Sequence, residues 1–113
     1  MASSIIKVQG QTAITLTKKS NVGTFEHICR RSGNVVSGCV IFQPTSTLGN
    51  DNIVDGLPVA NALYQFPMIC VSGSQSGQVG RVRIAGSLLQ IWYSNITPMA
   101  GNTYFIPINY ICD

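Results

Sequence analysis

Along most of the chain, apolar and polar residues alternate at every second position, and helical spacing is almost absent. That period of two constrains the fold more than any other feature, because successive side chains on a strand point to opposite faces. "SSIIKVQ" and "QTAITLTK" are short alternating runs separated by Gly10. "TFEHICR" runs through Ser32, Gly33 and Asn34 into "VVSGCVIFQP". After Pro44 the stretch "TSTLGNDNIVDG" is rich in turn formers and reads as a loop. "PMICVS", "RVRIA", "LLQIWYS" and "TYFIPINYIC" supply further strands. About eight or nine short strands at this spacing describe an all-β sandwich or barrel. We read an antiparallel β-sandwich of jelly-roll-like form. Residues 1–20 are read as an N-terminal arm of attachment strands, and residues 21–113 as the β-sandwich domain. Pro107, inside the last strand, predicts an edge position or a bulge there.

A chain of 113 residues forms one domain, and one of this size can bury a core without covalent staples. Charged residues make up only 10%, against 45% hydrophobic, so the polar surface must be Ser, Thr, Asn, Gln and Gly. Such a surface tolerates close contact with other subunits. The net charge of +3 is dispersed. Lys18-Lys19 and Arg30-Arg31 are adjacent pairs that diverge across a strand, so no basic stripe forms and nucleic acid is not expected as a partner. "MASSIIKVQG" lacks the apolar centre of a secretory signal. "GLPVANALYQFPMICV" is interrupted by prolines, Asn61 and Gln65, and falls short of a membrane span. The expectation is a chain made in the cytoplasm, with reduced thiols and no membrane insertion.

The hairpin decides how to read the cysteines. A turn on Ser32-Gly33 sets Cys39 opposite Glu26, and a turn on Gly33-Asn34 sets it opposite Ile28. Neither register brings Cys29 to Cys39, so these are expected to be free thiols acting as small apolar residues. Cys70 and Cys112 are read the same way. With no C-x-x-C and a single histidine, no structural metal site is expected. His27 and Cys29 share a face while Glu26 points away, so a nucleophile–base–orienter set is missing and no catalytic residue is assigned. The acids Glu26, Asp51, Asp55 and Asp113 are too scattered for a glycosidase pair. Asn50, Asp51, Asn52 and Asp55 are read as turn residues and not as calcium ligands. No cofactor is expected.

The candidates for ligand or subunit contact are Trp92, Tyr93, Tyr64 and Asn95. In "LLQIWYS" one of the two adjacent aromatics must face outward. Exposed aromatics beside Asn and Ser suit either a sugar ring or a neighbouring subunit. Arg81 and Arg83 share a strand face that could meet an anionic glycan. The loops 44–56, 72–80 and 94–102 are the candidate binding loops.

The runs "RRSGNVVSGCVIFQPTSTL", "GLPVANALYQFPM", "GQVGRVRIAGSLLQIWYS" and "GNTYFIPINYI" resemble a recurring bacteriophage module. It is the β-sandwich head domain at the C-terminal ends of tail fibres, baseplate appendages and head fibres. Arg31, Gly33, Asn34, Val35 and Val36 match its first hairpin, and Leu57 and Pro58 its second element. Gly80, Ile84, Gly86 and Ile91 match the third, and Tyr104, Ile108, Tyr110 and Ile111 the closing strand. The resemblance covers residues 22 to 112 and implies a homotrimer on the virion that binds host-surface saccharide, without catalysis. Attachment to other virion proteins is expected through residues 1–20. A purely structural capsid or tail cement protein, binding only virion partners, is the competing expectation. A non-viral lectin-like module is a third.

Overall fold

A computed structural model describes residues 11–113; the "SSIIKVQ" run lies outside the described residues. The strands are β1 (Gln11–Ile14), β2 (Thr17–Lys18), β3 (Val22–Ser32), β4 (Val35–Pro44), β5 (Asn52–Asp55), β6 (Tyr64–Ser72), β7 (Val79–Ala85), β8 (Leu88–Ile91) and β9 (Thr103–Ile111). They form one sheet in the order β1-β3-β4-β9-β6-β7-β8-β5-β2, with every neighbouring pair antiparallel. There is no helix among the described residues. The fold is all-β, as the alternation predicts.

The order of the strands dictates the shape. β1 and β2 lie at opposite ends of the sheet, yet only Thr15 and Leu16 separate them in the chain. Three extended residues reach at most roughly 10 Å. The sheet must therefore curl until β3 and β5 approach each other, which gives a half-barrel. One strand, 11–18, pairs first with β3 and then with β5. Where it changes partner, Leu16 is buried and its N–H donates to His27 Nε2 at 3.2 Å. His27 also stacks on Phe25, with ring centroids 5.0 Å apart.

Inside the curl lies one apolar cluster. Val36, Val40 and Phe42 of β4 pack with Tyr104, Ile106 and Ile108 of β9, Met68 of β6, Val82 and Ile84 of β7, and Leu89 and Ile91 of β8. These are the alternate positions of their strands, so the sequence periodicity and the burial agree. The hairpin takes the register with Ser32 opposite Val35 and Ile28 opposite Cys39, so the turn is Gly33-Asn34. Cys29 lies opposite Gly38, and all four cysteines are free. Gly38 has φ +144, and a Cβ there would stand 1.8 Å from the Ile28 carbonyl oxygen. Only glycine lets β3 and β4 approach this closely.

Three local expectations change. The "GNDNIVDG" stretch is not all loop: Ile53 and Val54 are buried and form β5. Two apolar residues suffice for a strand when a neighbour supplies the ladder. β8 ends at Ile91, so "WYS" leaves the strand. Pro107 is not on an edge strand, since β9 lies between β4 and β6. The ladder from β9 to β6 nevertheless begins only at Phe105–Ile69, one step short of the level where Pro107 would face Pro67. Both prolines lack an N–H, so the strands part there. Residues 58–61 fill the gap: Ala60 bridges Cys112, and Asn61 N–H donates to Ile111 O. Tyr110 closes it, its hydroxyl donating to Pro58 O at 2.6 Å and its ring tilted against Tyr64 and Phe66.

Candidate functional site

The three candidate loops meet at one end of the sheet. Leu48 N–H donates to Pro98 O at 2.9 Å, joining 44–56 to 94–102. Gln75 Nε2 donates to Thr97 O at 2.8 Å, joining 72–80 to 94–102. Behind these bonds sits Asn102, the one buried polar side chain among the described residues. Its Oδ1 accepts from Gln75 N–H at 3.2 Å and faces Ser74 Oγ. The Tyr104 hydroxyl donates to Gln75 Oε1 and accepts from Met99 N–H at 3.0 Å. Burial raises the Tyr104 pKa, so this phenol stays protonated and keeps its donor role. A buried amide oxygen that accepts from the loop backbone holds that loop in one geometry.

Beside this knot the chain leaves β8 and builds a platform. Tyr93 is the one non-glycine residue with positive φ among those described, at 44°. For a bulky residue this is strained backbone, tolerated only where neighbours hold it. They do so here: Asn50 Oδ1 accepts Tyr93 N–H at 3.0 Å, and Arg81 Nη2 donates to Tyr93 O at 2.8 Å. Arg81 Nε also donates to Trp92 O at 3.3 Å. Ser94 Oγ accepts the Arg81 N–H, packed over Gly80, where a Cβ would lie 2.3 Å from that oxygen.

The left-handed turn at Tyr93 breaks the alternation that would have sent Tyr93 inward with Leu89 and Ile91. Its ring is instead 65% exposed. Trp92 plays a different part. The Arg83 guanidinium lies 3.4 Å from the centre of its ring, while Arg83 Nε donates to Gln90 Oε1 at 2.8 Å. One face of the indole is thus occupied by a cation, and Tyr93 meets the ring edge-on at 4.6 Å. Trp92 supports, and Tyr93 presents.

Of the residues singled out in the sequence, Trp92, Tyr93, Arg81 and Arg83 come together. Asn95 lies exposed two residues beyond Tyr93. Tyr64 does not join them. It shares the core-side face of β6 with Phe66, donates to Asn61 Oδ1 at 2.9 Å and leans on Tyr110. The arginines, read as sharing a face that could meet an anionic glycan, have both guanidiniums engaged within the chain by carbonyls, an amide and a ring. Asn50, Gln75 and Asn102 carry the loop geometry and were not foreseen in those roles. An isolated Asn or Gln in a loop carries no signal of its partner.

The remaining polar groups serve turns. Asp51 Oδ2 accepts Gly49 N–H at 2.8 Å, and Asp55 Oδ1 accepts from Ser87 Oγ and Gly56 N–H. The Ser87 hydroxyl, then the Gly56 amide, hold the Asp55 carboxyl below the usual carboxylate range. No group of three or more His, Cys, Asp and Glu residues gathers among the described residues. Comparison with protein-family models, with curated proteins and with solved structures gives no match.

The outer face of the sheet holds a second feature. Ile28 of β3 lies opposite Cys39 of β4, and Cys39 opposite Pro107 of β9. One row along, Ile41, Phe105, Ile69 and Val79 follow one another across β4, β9, β6 and β7. Ile28 is 64% exposed, Val71 52% and Val79 45%. An apolar band therefore crosses five consecutive strands on the outside of the half-barrel.

Proposed function

We propose that this chain is a bacteriophage virion protein: a fibre head or decoration protein, displayed on the particle and binding a host-surface saccharide. In this reading the curled sheet works as a β-sandwich head, three copies form a homotrimer, and residues 1–20 link the head to other virion proteins. The motifs around Gly33-Asn34, Leu57-Pro58, Gly80 and Tyr110 support the family assignment. The observation that carries the binding role is the exposed Tyr93 ring, held in strained backbone by Asn50 and Arg81 beside three interlocked loops. Strain kept at an exposed aromatic suits a preorganised stacking surface, with nearby amides for sugar hydroxyls. Asn95 is placed to join them.

The test is a glycan array probed with the labelled protein. Binding that disappears in Tyr93→Ala supports the reading, and Trp92→Ala should weaken it by releasing Arg83. Absence of glycan binding, with tight binding to purified capsids or tails, would reject it in favour of a cement protein. That second reading draws on the apolar outer band, which a protein binding only virion partners would also need.

A further inference from the structure

We infer that the apolar outer band is the surface through which copies of this chain assemble head to tail into a closed ring. The inference rests on the trimeric reading above and names the faces that would form it. Contiguous apolar patches of a few hundred Å² are often functional. Strands stand about 4.8 Å apart and same-face residues about 7 Å apart along a strand, so the band covers roughly 350 Å². Each contact would use one end of the band on each copy, roughly half of that area per side. Ser37 and Gln43 of β4 and Asn109 and Thr103 of β9 border the band with polar side chains.

The two ends of the band differ in kind. At the β3–β4 end, Glu26, His27, Ile28, Cys39 and Ile41 line a hollow of about 130 Å³. Glu26 is exposed there and forms no ion pair, the single one among the described residues being Lys19–Asp55. The β6–β7 end carries projecting side chains, Val71 and Val79. Arg81, two residues from Val79 on the same face, borders them with its charge unmatched by a carboxylate. A hollow edged by an acid and a projection edged by a base are complementary to each other and not to themselves.

Such a contact is heterologous, and it closes only if the two surfaces point in different directions. The curl of the sheet provides this, because the outward normals of β3 and β7 diverge across the intervening β4, β9 and β6. The β6–β7 end of one copy then meets the β3–β4 end of the next, with Phe105 and Pro107 of central β9 facing the ring axis. A second copy is the occupant favoured by this charge and shape pairing.

The experiment uses the full chain at micromolar concentration. Light scattering should give three times the chain mass of 12.1 kDa. Ile28→Asp should lower self-association by about 30-fold or more, with circular dichroism unchanged because the side chain is exposed. Val79→Cys, treated with diamide, should form disulfides to Cys39 of the next copy and yield a ladder ending at three chains. Within one chain those positions are three strand spacings apart, roughly 14 Å, too far for a disulfide. Val79→Cys combined with Cys39→Ser should give no ladder. A wild-type monomer would overturn both the trimer and this inference. A wild-type trimer indifferent to Ile28→Asp and without the ladder would overturn the inference alone. A ladder ending at two would replace the ring with a two-fold contact.

Discussion

The loop end and the outer face of the half-barrel solve opposite problems. At the loop end, polar side chains meet one another: Asn102 with Gln75, Tyr104 with Gln75 and Met99, Asn50 with Tyr93, Arg81 with the carbonyls beside it. The large aromatic ring left exposed there is that of Tyr93. On the outer face the apolar side chains have no such partners, and Ile28, Val71 and Val79 stand in water. The first region is complete within one chain and presents a small rigid feature. The second is incomplete by itself, because exposed apolar area gains free energy only from a partner. A surface that is satisfied suits recognition of a small ligand, and one that is unsatisfied suits assembly.

Substitutions can separate the two regions. The largest effect is expected from Gly38→Ala. Its Cβ would strike the Ile28 backbone and the residue would hold a φ that suits glycine alone, costing about 3 kcal/mol or more. Denaturant unfolding should show this loss, and self-association should fall with it, because β3 is pushed from β4 where Ile28 is displayed. Asn102→Ala should cost about 1 kcal/mol or more by leaving the part-buried Gln75 N–H without its acceptor. Its effect should stay at the loop end. The mass by light scattering should be unchanged while any glycan affinity drops, and a change in both would mean the regions are coupled.

Alkaline pH probes the turn end of the β3–β4 hairpin, away from the loops. Burial first, then the neighbouring Cys39, pushes the Cys29 thiol up to about 11 from 9.0. Burial likewise raises the Tyr110 phenol above its ordinary 10.0, aided by Cys112 and Cys29 and opposed by Arg31. In both cases the folded chain holds the proton more tightly than the unfolded one. For Cys29 the stabilisation is complete below pH 9 and is lost as pH rises through 11; for Tyr110 the loss begins near pH 10 and continues at higher pH. Melting temperatures measured across that window should fall, and Tyr110→Phe should make the fall shallower.

The smallest shift is expected from Tyr93→Gly. Relief of the left-handed strain, about 1–2 kcal/mol, is mostly offset by the backbone entropy of glycine, about 0.5–1 kcal/mol. Thermal melts should rise slightly or stay level while binding to the array is lost. A large destabilisation would mean that the ring serves packing and not presentation.

Much of this fold could be read from residue order. Alternation located β3, β4, β7 and β9, and the two possible turns of the hairpin included the observed Gly33-Asn34. The elements that escaped did so for nameable reasons. β5 has only Ile53 and Val54 as apolar signal and exists because β8 and β2 offer ladders on either side. Pro107 suggested an edge, yet a strand can be central where its neighbour diverges at a second proline. Of the site residues, Trp92 and Tyr93 were legible as adjacent aromatics and Arg81 and Arg83 as partners on one strand face; only the fold sets the four together, where the chain leaves β8 beside β7. Tyr64 was grouped with them on chemistry alone, and the sheet places it on the core side.

The outer band was invisible for a further reason. Ile28, Ile41, Ile69, Val79 and Phe105 each look like an ordinary member of its own strand, and only register across strands lines them up. By itself the sequence determined the class of fold, the core-facing positions of the long strands and that neither hairpin register sets Cys29 against Cys39. These follow from local periodicity and turn geometry. Tertiary structure decided which aromatic is presented, which amides lock the loops and which apolar residues share the outside of the sheet. Those depend on pairing between segments far apart in the chain, a relation that residue order does not encode locally.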